Sequence, residues 1–237
     1  MQHWKDGFEE STLNSTTSKT IISLTDIDIP LNALLKLLRT DEESEAMEDI
    51  TAMHREAAGI ANPAAVYAPF SPEVRSGILY INETGIEDPF VIKMLSGHET
   101  VVPYAATCGT ELDAWAGGFT DIYEQFIADS LKALYLSAVQ EKLFSEVKNN
   151  FFNRKKHISS LNPGSLSEWP ITGQSQLFRI LGEVSGDIGI VLTESFLMIP
   201  NKSVSGIFFG SEEEFHNCQL CPRDDCPNRR APYSGCE

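Results

Sequence analysis

The sequence predicts an α+β protein in which a curved, mainly antiparallel sheet packs against one long helix and several shorter helices. The longest periodic segment, residues 110–151, repeats apolar residues at close to helical spacing. Short runs rich in branched and aromatic residues precede and follow it, and Pro- and Gly-marked turns separate these runs. The 237 residues, 42% of them hydrophobic, suffice to build a sizeable core.

Local patterns place the elements of the first half. Residues 1–20 are polar and are expected to form a loose tail. Residues 21–29 alternate branched apolar residues with acids, as a half-buried edge strand does, and Pro30 ends this strand. The other elements predicted here are helices at 31–38, 42–58 and 89–96 and strands at 65–67, 77–81 and 101–107.

The long periodic segment is the predicted central core helix, kinked or split at Gly117-Gly118. Its apolar stripe includes Ile122 and Phe126, and we expect this stripe to be buried packing rather than a cofactor site. Residues 153–169 have the composition of a loop.

The second half ends in predicted β-structure. Thr172 is the expected N-cap of a helix that ends at Leu181. The β-rich runs 188–199 and 203–209 are joined by a Pro-Asn-Lys turn, which is the pattern of a hairpin. The expected organisation is a tail at 1–20, a domain at 21–210 with a candidate subdomain at 21–109, and a Cys-rich tail at 211–237.

The charge and the distribution of apolar residues limit the expected partners and the expected location. The formal net charge of −16 repels nucleic acid and anionic membranes, so neither is an expected partner. The first 20 residues lack the pattern of a signal peptide, and no run approaches the roughly 20 apolar residues of a membrane helix. These observations predict a cytoplasmic protein.

Four cysteines near the end of the chain form the strongest chemical signal, with the spacing C-x2-C-x4-C-x9-C. They are Cys218, Cys221, Cys226 and Cys236. Thiolates this close indicate an iron–sulfur cluster, a structural zinc or disulfides, and a reducing cytoplasm disfavours the disulfides. The spacing is not that of a usual zinc ribbon, and the two Cys-Pro dipeptides partly resemble the ligand pattern of ferredoxins. The prediction is therefore a 4Fe–4S cluster, with zinc as the alternative.

Four other residues are relevant to this cysteine cluster. His216 and Cys108 are the candidate substitute ligands, although the position of Cys108 at a strand end is more typical of a buried structural thiol. Arg229 and Arg230 could lower the negative charge of a cluster or contact an amide or phosphate group of a ligand. The favoured interpretation places both arginines on a surface loop, paired with Asp224 and Asp225.

A resemblance to a known family begins in the run Leu-Thr-Glu-Ser-Phe at 192–196 and continues through Ser-Val-Ser-Gly at 203–206. This stretch resembles the activation (reactivation) domain of cobalamin-dependent methionine synthase. Asn162-Pro163-Gly164, the helix after it, and Ala128-Asp129-Ser130-Leu131 also fit that family. The resemblance covers roughly residues 120–209, and the cysteine tail has no evident counterpart in it.

The resemblance implies a surface that faces a corrinoid. The family domain binds S-adenosylmethionine and presses onto cobalamin, where cob(II)alamin is reduced by an outside donor and remethylated. By this resemblance the candidate cofactor-binding residues are Pro163, Gly164, Glu194, Ser203, Ser205 and Gly206. The cobalamin would be held by a partner, either a separate cobalamin-binding protein or the methionine synthase core.

Three departures from the family concern its nucleotide site. The Arg and Tyr that flank Pro-Gly in the family correspond here to Ser160 and Ser165, and an acidic helix residue corresponds to Ala133. The groups that would pair the ligand's charges are thus absent. We therefore expect this chain not to bind S-adenosylmethionine.

These observations lead to one main hypothesis and two alternatives. The main hypothesis is a reductive activation or accessory protein for a corrinoid-dependent methyltransferase such as methionine synthase, which supplies an electron through its C-terminal cluster. The first alternative is a non-catalytic binding module for a corrinoid protein, with a structural zinc. The second is S-adenosylmethionine-dependent remethylation of cobalamin. No catalytic residue is predicted.

Overall fold

The computed structural model describes residues 18–25, 27–212, 215, 217–221, 223, 225, 229 and 231–234. Its helices are α1 (Leu31–Leu38), α2 (Met47–Ile60), α3 (Pro89–Leu95), α4 (Thr110–Ala116), α5 (Ile122–Phe151), α6 (Gln174–Leu181) and α7 (Val184–Ile188). Its strands are β1 (Thr20–Ser23), β2 (Ala64–Tyr67), β3 (Glu73–Arg75), β4 (Ile78–Ile81), β5 (Thr84–Ile86), β6 (Val101–Thr107), β7 (His157–Leu161), β8 (Val191–Leu192), β9 (Met198–Ile199) and β10 (Ser203–Ser211). In the described part of the chain, no helix combines the length and apolarity that crossing a bilayer requires.

Five strands form the main sheet in the order β1-β2-β6-β10-β7, and every neighbouring pair is antiparallel. Strand β10 lies between β6 and β7, so that Ile207 pairs with both Pro103 and Leu161. Residues 205–210 are buried, as expected of an internal strand covered on both faces. The predicted α+β class, with an antiparallel sheet and one long helix, is confirmed.

The two faces of the main sheet bury different elements. One face, which includes Val66, Ala105 and Ile207, packs against α3, α6, α7 and the small sheet β3-β4-β5. The opposite face, which includes Tyr104 and Phe208, packs against the second half of α5. Alternate residues of one strand thus enter separate cores, which is the period-2 pattern of a strand.

The long helix belongs to two cores. Its second half covers the sheet, while its first half packs on α1, α2 and α4 through Ile127, Leu131 and Tyr135. Asp121 caps the helix, since its carboxylate accepts from the amides of Tyr123 and Glu124 at 2.8 and 3.1 Å. The predicted split at Gly117-Gly118 is confirmed, because α4 ends before these glycines and α5 begins after them.

The predicted hairpin between 188–199 and 203–209 is wrong. Strand β10 pairs with β6 and β7, whereas β8 pairs only with β9, within a tight turn. The chain reverses there because Thr193 accepts twice: its carbonyl accepts from the Phe196 amide at 2.9 Å, and its hydroxyl accepts from the Leu197 amide at 3.0 Å. This local turn ends the pairing before Pro200.

Several other boundaries differ from the sequence prediction. The predicted loop 153–169 contains β7. This segment forms a strand because it pairs with the distant β10, and its own mixed composition does not favour a strand. Thr172 does not cap α6, since a 3-10 turn at Ile171–Gly173 leads directly into that helix. Helix α2 starts at Met47 rather than at residue 42. Strand β1 is an edge strand, as predicted, but it is shorter than the predicted range 21–29.

Candidate functional site

The Pro163-Gly164 turn follows β7 directly. Pro163 is buried, and the Gly164 amide donates to the Trp169 carbonyl at 2.8 Å. Gly164 has φ +81°, and a Cβ there would lie 3.2 Å from the Cβ of Ile171. Both the left-handed backbone and the close neighbour favour glycine, so the turn is held in one shape beside the sheet.

A neutral hydrogen-bond network lies beside this turn on the sheet face that packs against α5. The Asn162 cluster, as we name it, consists of Tyr104, Ser160 and Asn162. The Asn162 amide donates to the Tyr104 hydroxyl at 2.9 Å and to the Ser205 carbonyl at 2.7 Å. The Ser160 hydroxyl lies 3.1 Å from the Tyr104 hydroxyl and donates to Asn162 Oδ1 at 3.2 Å. Three side chains therefore tie β6, β7 and β10 to the start of the turn.

The three positions that depart from the family's nucleotide site are all uncharged in this arrangement. Ser160 belongs to the Asn162 cluster, and Ser165 is exposed on the turn. Ala133 is half-buried on α5. Ser160 and Asn162 form hydrogen bonds with each other and with Tyr104. The polar groups of the cluster therefore hold the strands together.

The small residues of β10 are placed by close packing. Ser205 is buried, and its hydroxyl donates to Gln174 Oε1 of α6 at 2.6 Å. A Cβ on Gly206 would lie 2.4 Å from Asn162 Nδ2 and 2.6 Å from the Leu161 carbonyl oxygen. The Ser203 hydroxyl is buried without a hydrogen-bond partner among the residues described. The corrinoid-facing role assigned to these residues stays a prediction.

An exposed apolar surface lies where α5 begins. The expectation that the whole apolar stripe of α5 is buried is therefore wrong at this end of the helix. Ile122 is 83% exposed and Phe126 is 49% exposed. With Asp129 they occupy positions i, i+4 and i+7 of one helix face. Asp129 pairs with Lys202 at 2.8 Å, which joins this face to the turn that follows β9.

The β8–β9 turn, which precedes the Lys202 that pairs with Asp129, carries more exposed apolar side chains. Leu197 is 55% exposed, Ile199 is 44% exposed, and Glu194 is exposed at the turn itself. We call Ile122, Phe126, Leu197 and Ile199 the apolar face. Sequence reasoning missed it because the helical period of α5 continues smoothly through positions that the core does not cover.

The cysteine tail is described in part. The Cys221 amide donates to the Cys218 carbonyl at 3.3 Å, which closes the Cys-x2-Cys turn. Cys226, Cys236, His216 and Arg230 lie outside the described residues. Within the portion of the tail that is described, no three His, Cys, Asp or Glu side chains come together as metal ligands.

The expected surroundings of Arg229 are not found, whereas those of Cys108 are. In the described tail Arg229 donates to backbone carbonyls, among them those of Cys218 and Cys221, and forms no ion pair with Asp225. Asp224, the other expected partner, lies outside the described residues. Cys108 is fully buried, and burial raises the pKa of its thiol to about 12. Such a thiol stays protonated, which supports the structural interpretation of Cys108.

Comparison with known proteins identifies the family. The family model for the vitamin B12 dependent methionine synthase activation domain matches residues 82–230. The chain belongs to this family. The match begins before α3 and includes the Asn162 cluster, the apolar face and three of the four tail cysteines. It is therefore longer at both ends than the resemblance seen in the sequence, and the start of the tail lies inside it.

A solved structure of the same family shares the fold. The crystal structure of the MetH reactivation domain bound to AdoHcy superposes with a TM-score of 0.61 at 17% identity, covering 84% of this chain and 80% of that chain. None of the curated proteins matches this sequence. The predicted membership of the methionine synthase activation domain family is thus confirmed by both sequence and fold.

Proposed function

We propose that this chain activates a cobalamin-dependent methyltransferase, with methionine synthase as the first candidate, by docking on the corrinoid face of a partner. The apolar face carries this proposal. Four exposed apolar side chains lie on α5 and the β8–β9 turn, and the Asp129–Lys202 ion pair joins these two elements. Large exposed apolar groups on two elements that are joined in this way favour an interaction surface.

The placement of this face fits the family membership. The β8–β9 turn carries Glu194, one of the residues assigned to the corrinoid-facing surface, and the exposed Leu197 and Ile199 follow it in the same turn. An apolar centre with polar groups at its rim is the usual arrangement of a protein interface. The partner would hold the cobalamin, and this chain would cover it.

We further propose that the C-terminal cysteines hold a metal cluster that supplies the electron. Reduction of cob(II)alamin to cob(I)alamin consumes one electron at low potential, and thiolate-ligated 4Fe–4S clusters span that range. The closed Cys218–Cys221 turn is compatible with chelation of one metal centre. In the alternative, a structural zinc occupies the same ligands, and the chain is a binding module without redox chemistry.

Metal content after anaerobic purification separates these two roles. We expect iron and sulfide together with the brown colour of an iron–sulfur protein. We also expect the double variant Cys218→Ser/Cys221→Ser to lose both, because it removes two of the four thiolates. Cys108→Ser, which alters a buried thiol outside the tail, is the matched control and should keep the colour. A colourless wild-type protein with one zinc per chain would contradict the electron role and support the binding module.

The second alternative is that the chain remethylates cobalamin with S-adenosylmethionine. The MetH reactivation domain was crystallised with AdoHcy, which motivates a direct test on this chain. Calorimetry is expected to detect no binding of S-adenosylmethionine, since Ser160, Ser165 and Ala133 leave the charges of the ligand unpaired. The MetH domain serves as the positive control. Tight binding to this chain would show that other residues replace the missing charges.

A further inference from the structure

One guanidinium group holds the described part of the cysteine tail together. Arg229 Nη1 donates to the carbonyls of Cys218 at 2.9 Å and Ala231 at 3.1 Å. Its Nη2 donates to the carbonyl of Cys221 at 3.0 Å and also to that of Arg223. The half-buried arginine therefore bonds both cysteines of the Cys-x2-Cys turn as well as the chain on either side of itself.

A second contact, made by Ser234, also holds this turn. The Ser234 amide donates to the Gln219 carbonyl at 2.9 Å, and the Ser234 hydroxyl reaches the same oxygen at 3.3 Å. Gln219 lies between the two cysteines. The end of the described chain thus folds back onto the turn, and three carbonyls of the turn, those of residues 218, 219 and 221, have identified donors.

The chemistry of arginine explains why one side chain can do this. A guanidinium carries five N–H donors in a rigid planar fork and stays charged at all relevant pH values. Hydrogen bonds from a charged donor are roughly twice as strong as neutral ones. An ammonium is a point donor and cannot span carbonyls on two sides of a loop in the same way.

We propose that Arg229 is the positioning residue of a metal site at Cys218 and Cys221, and that it shapes the turn before a soft, thiolate-preferring cation binds. This inference rests on the metal-binding part of the proposed function. By fixing the backbone at both cysteines, Arg229 reduces the ordering that the metal would otherwise impose. Groups that orient ligands in this way typically contribute 10–100-fold to metal affinity.

Titration with Co²⁺ under anaerobic conditions tests the proposal, because cobalt bound by thiolates has a characteristic visible spectrum. We expect the metal-free wild-type protein to bind Co²⁺ with this spectrum. The affinity of Arg229→Gln should fall by roughly 10–100-fold, with altered absorption bands, and Arg229→Lys should not restore it. Arg55→Gln, at an exposed position on α2, is the matched control and should bind like the wild type.

Hydrogen exchange on the metal-free protein separates failure of this inference from failure of the metal site itself. The amides of Cys221 and Ser234 are expected to exchange at least about tenfold faster in Arg229→Gln, since a single hydrogen bond from a charged donor contributes that factor. Equal exchange, or equal Co²⁺ affinity and spectrum in the variant and wild type, would overturn the positioning role. Faster exchange in a protein whose wild type binds no Co²⁺ would instead overturn the metal site and, with it, this role for Arg229.

Discussion

The double variant Ile122→Asp/Phe126→Asp is expected to bind a cobalamin-loaded methionine synthase core at least about 100-fold more weakly than the wild type. Both side chains are exposed on one face of α5, at 83% and 49%. Removing two apolar anchors and burying two carboxylates in their place would cost about 3 kcal/mol or more of binding free energy. Calorimetry or surface-based binding measurements with the purified core would report the change.

The fold of this variant should survive, so that the loss can be attributed to docking. Ile122 is the first residue of α5, where a carboxylate favourably meets the helix N-terminus, and Phe126 lies at an exposed position one turn later. Leu37→Asp, at a 44% exposed position on α1, is the matched control and should bind normally. Unchanged affinity in the double variant would exclude this face from the interface.

Gly206→Ala is expected to destabilise the protein by about 3 kcal/mol, or to prevent folding altogether. Its Cβ would lie 2.6 Å from the Leu161 carbonyl oxygen, 2.4 Å from Asn162 Nδ2 and 3.0 Å from the Tyr104 ring. Asn162 cannot swing away without losing its bonds to Tyr104 and to the Ser205 carbonyl. The Leu161 oxygen belongs to the backbone of β7 and can move only if the pairing with β10 opens.

Chemical denaturation of Gly206→Ala beside Gly59→Ala measures this effect. Gly59 lies in α2, and a Cβ there would meet nothing within 4 Å. The control substitution should therefore stabilise the protein, by up to about 1 kcal/mol, through helix propensity. If both variants had the stability of the wild type, the close contact between β10 and the Asn162 cluster would be wrong.

Local sequence patterns predicted the elements whose causes are local. Helix α1 spans 31–38 as predicted, and α5 separates from α4 at the predicted glycine pair. Strand β7 was missed because His157–Leu161 has no strong strand pattern of its own and forms only through its pairing with β10. The predicted hairpin is wrong because the Pro-Asn-Lys sequence suggests a chain reversal at 200–202. The hydrogen bonds of Thr193 instead reverse the chain several residues earlier.

The candidate site divides in the same way. Pro163-Gly164 and Glu194 stood out because a Pro-Gly turn and the Thr-Glu-Ser-Phe run are visible in the sequence. Tyr104 was not singled out, because nothing local connects it to Asn162, 58 positions later along the chain. Pairing of β10 with both β6 and β7 brings the two together, and register between distant strands depends on the whole fold.

The apolar face and the arginine contacts could not be predicted from the sequence, for two different reasons. Ile122 and Phe126 continue the helical period of α5, so only their exposure distinguishes them from core residues. Arg229 acts through backbone carbonyls, which every sequence supplies and which no motif marks. In both cases the residue type was visible and its surroundings were not.

Anaerobic mixing of the reduced wild-type chain with a cob(II)alamin-loaded methionine synthase core, one that lacks its own activation domain, tests the central claim most directly. The visible spectrum of the corrinoid reports its oxidation state, and the same reductant without the chain is the control. The account predicts that cob(II)alamin is consumed only when the metal-loaded chain is present, and that Cys218→Ser/Cys221→Ser abolishes this. A core that binds the chain while its cob(II)alamin stays unchanged would contradict electron supply, and a core that forms no complex would contradict the proposed function as a whole.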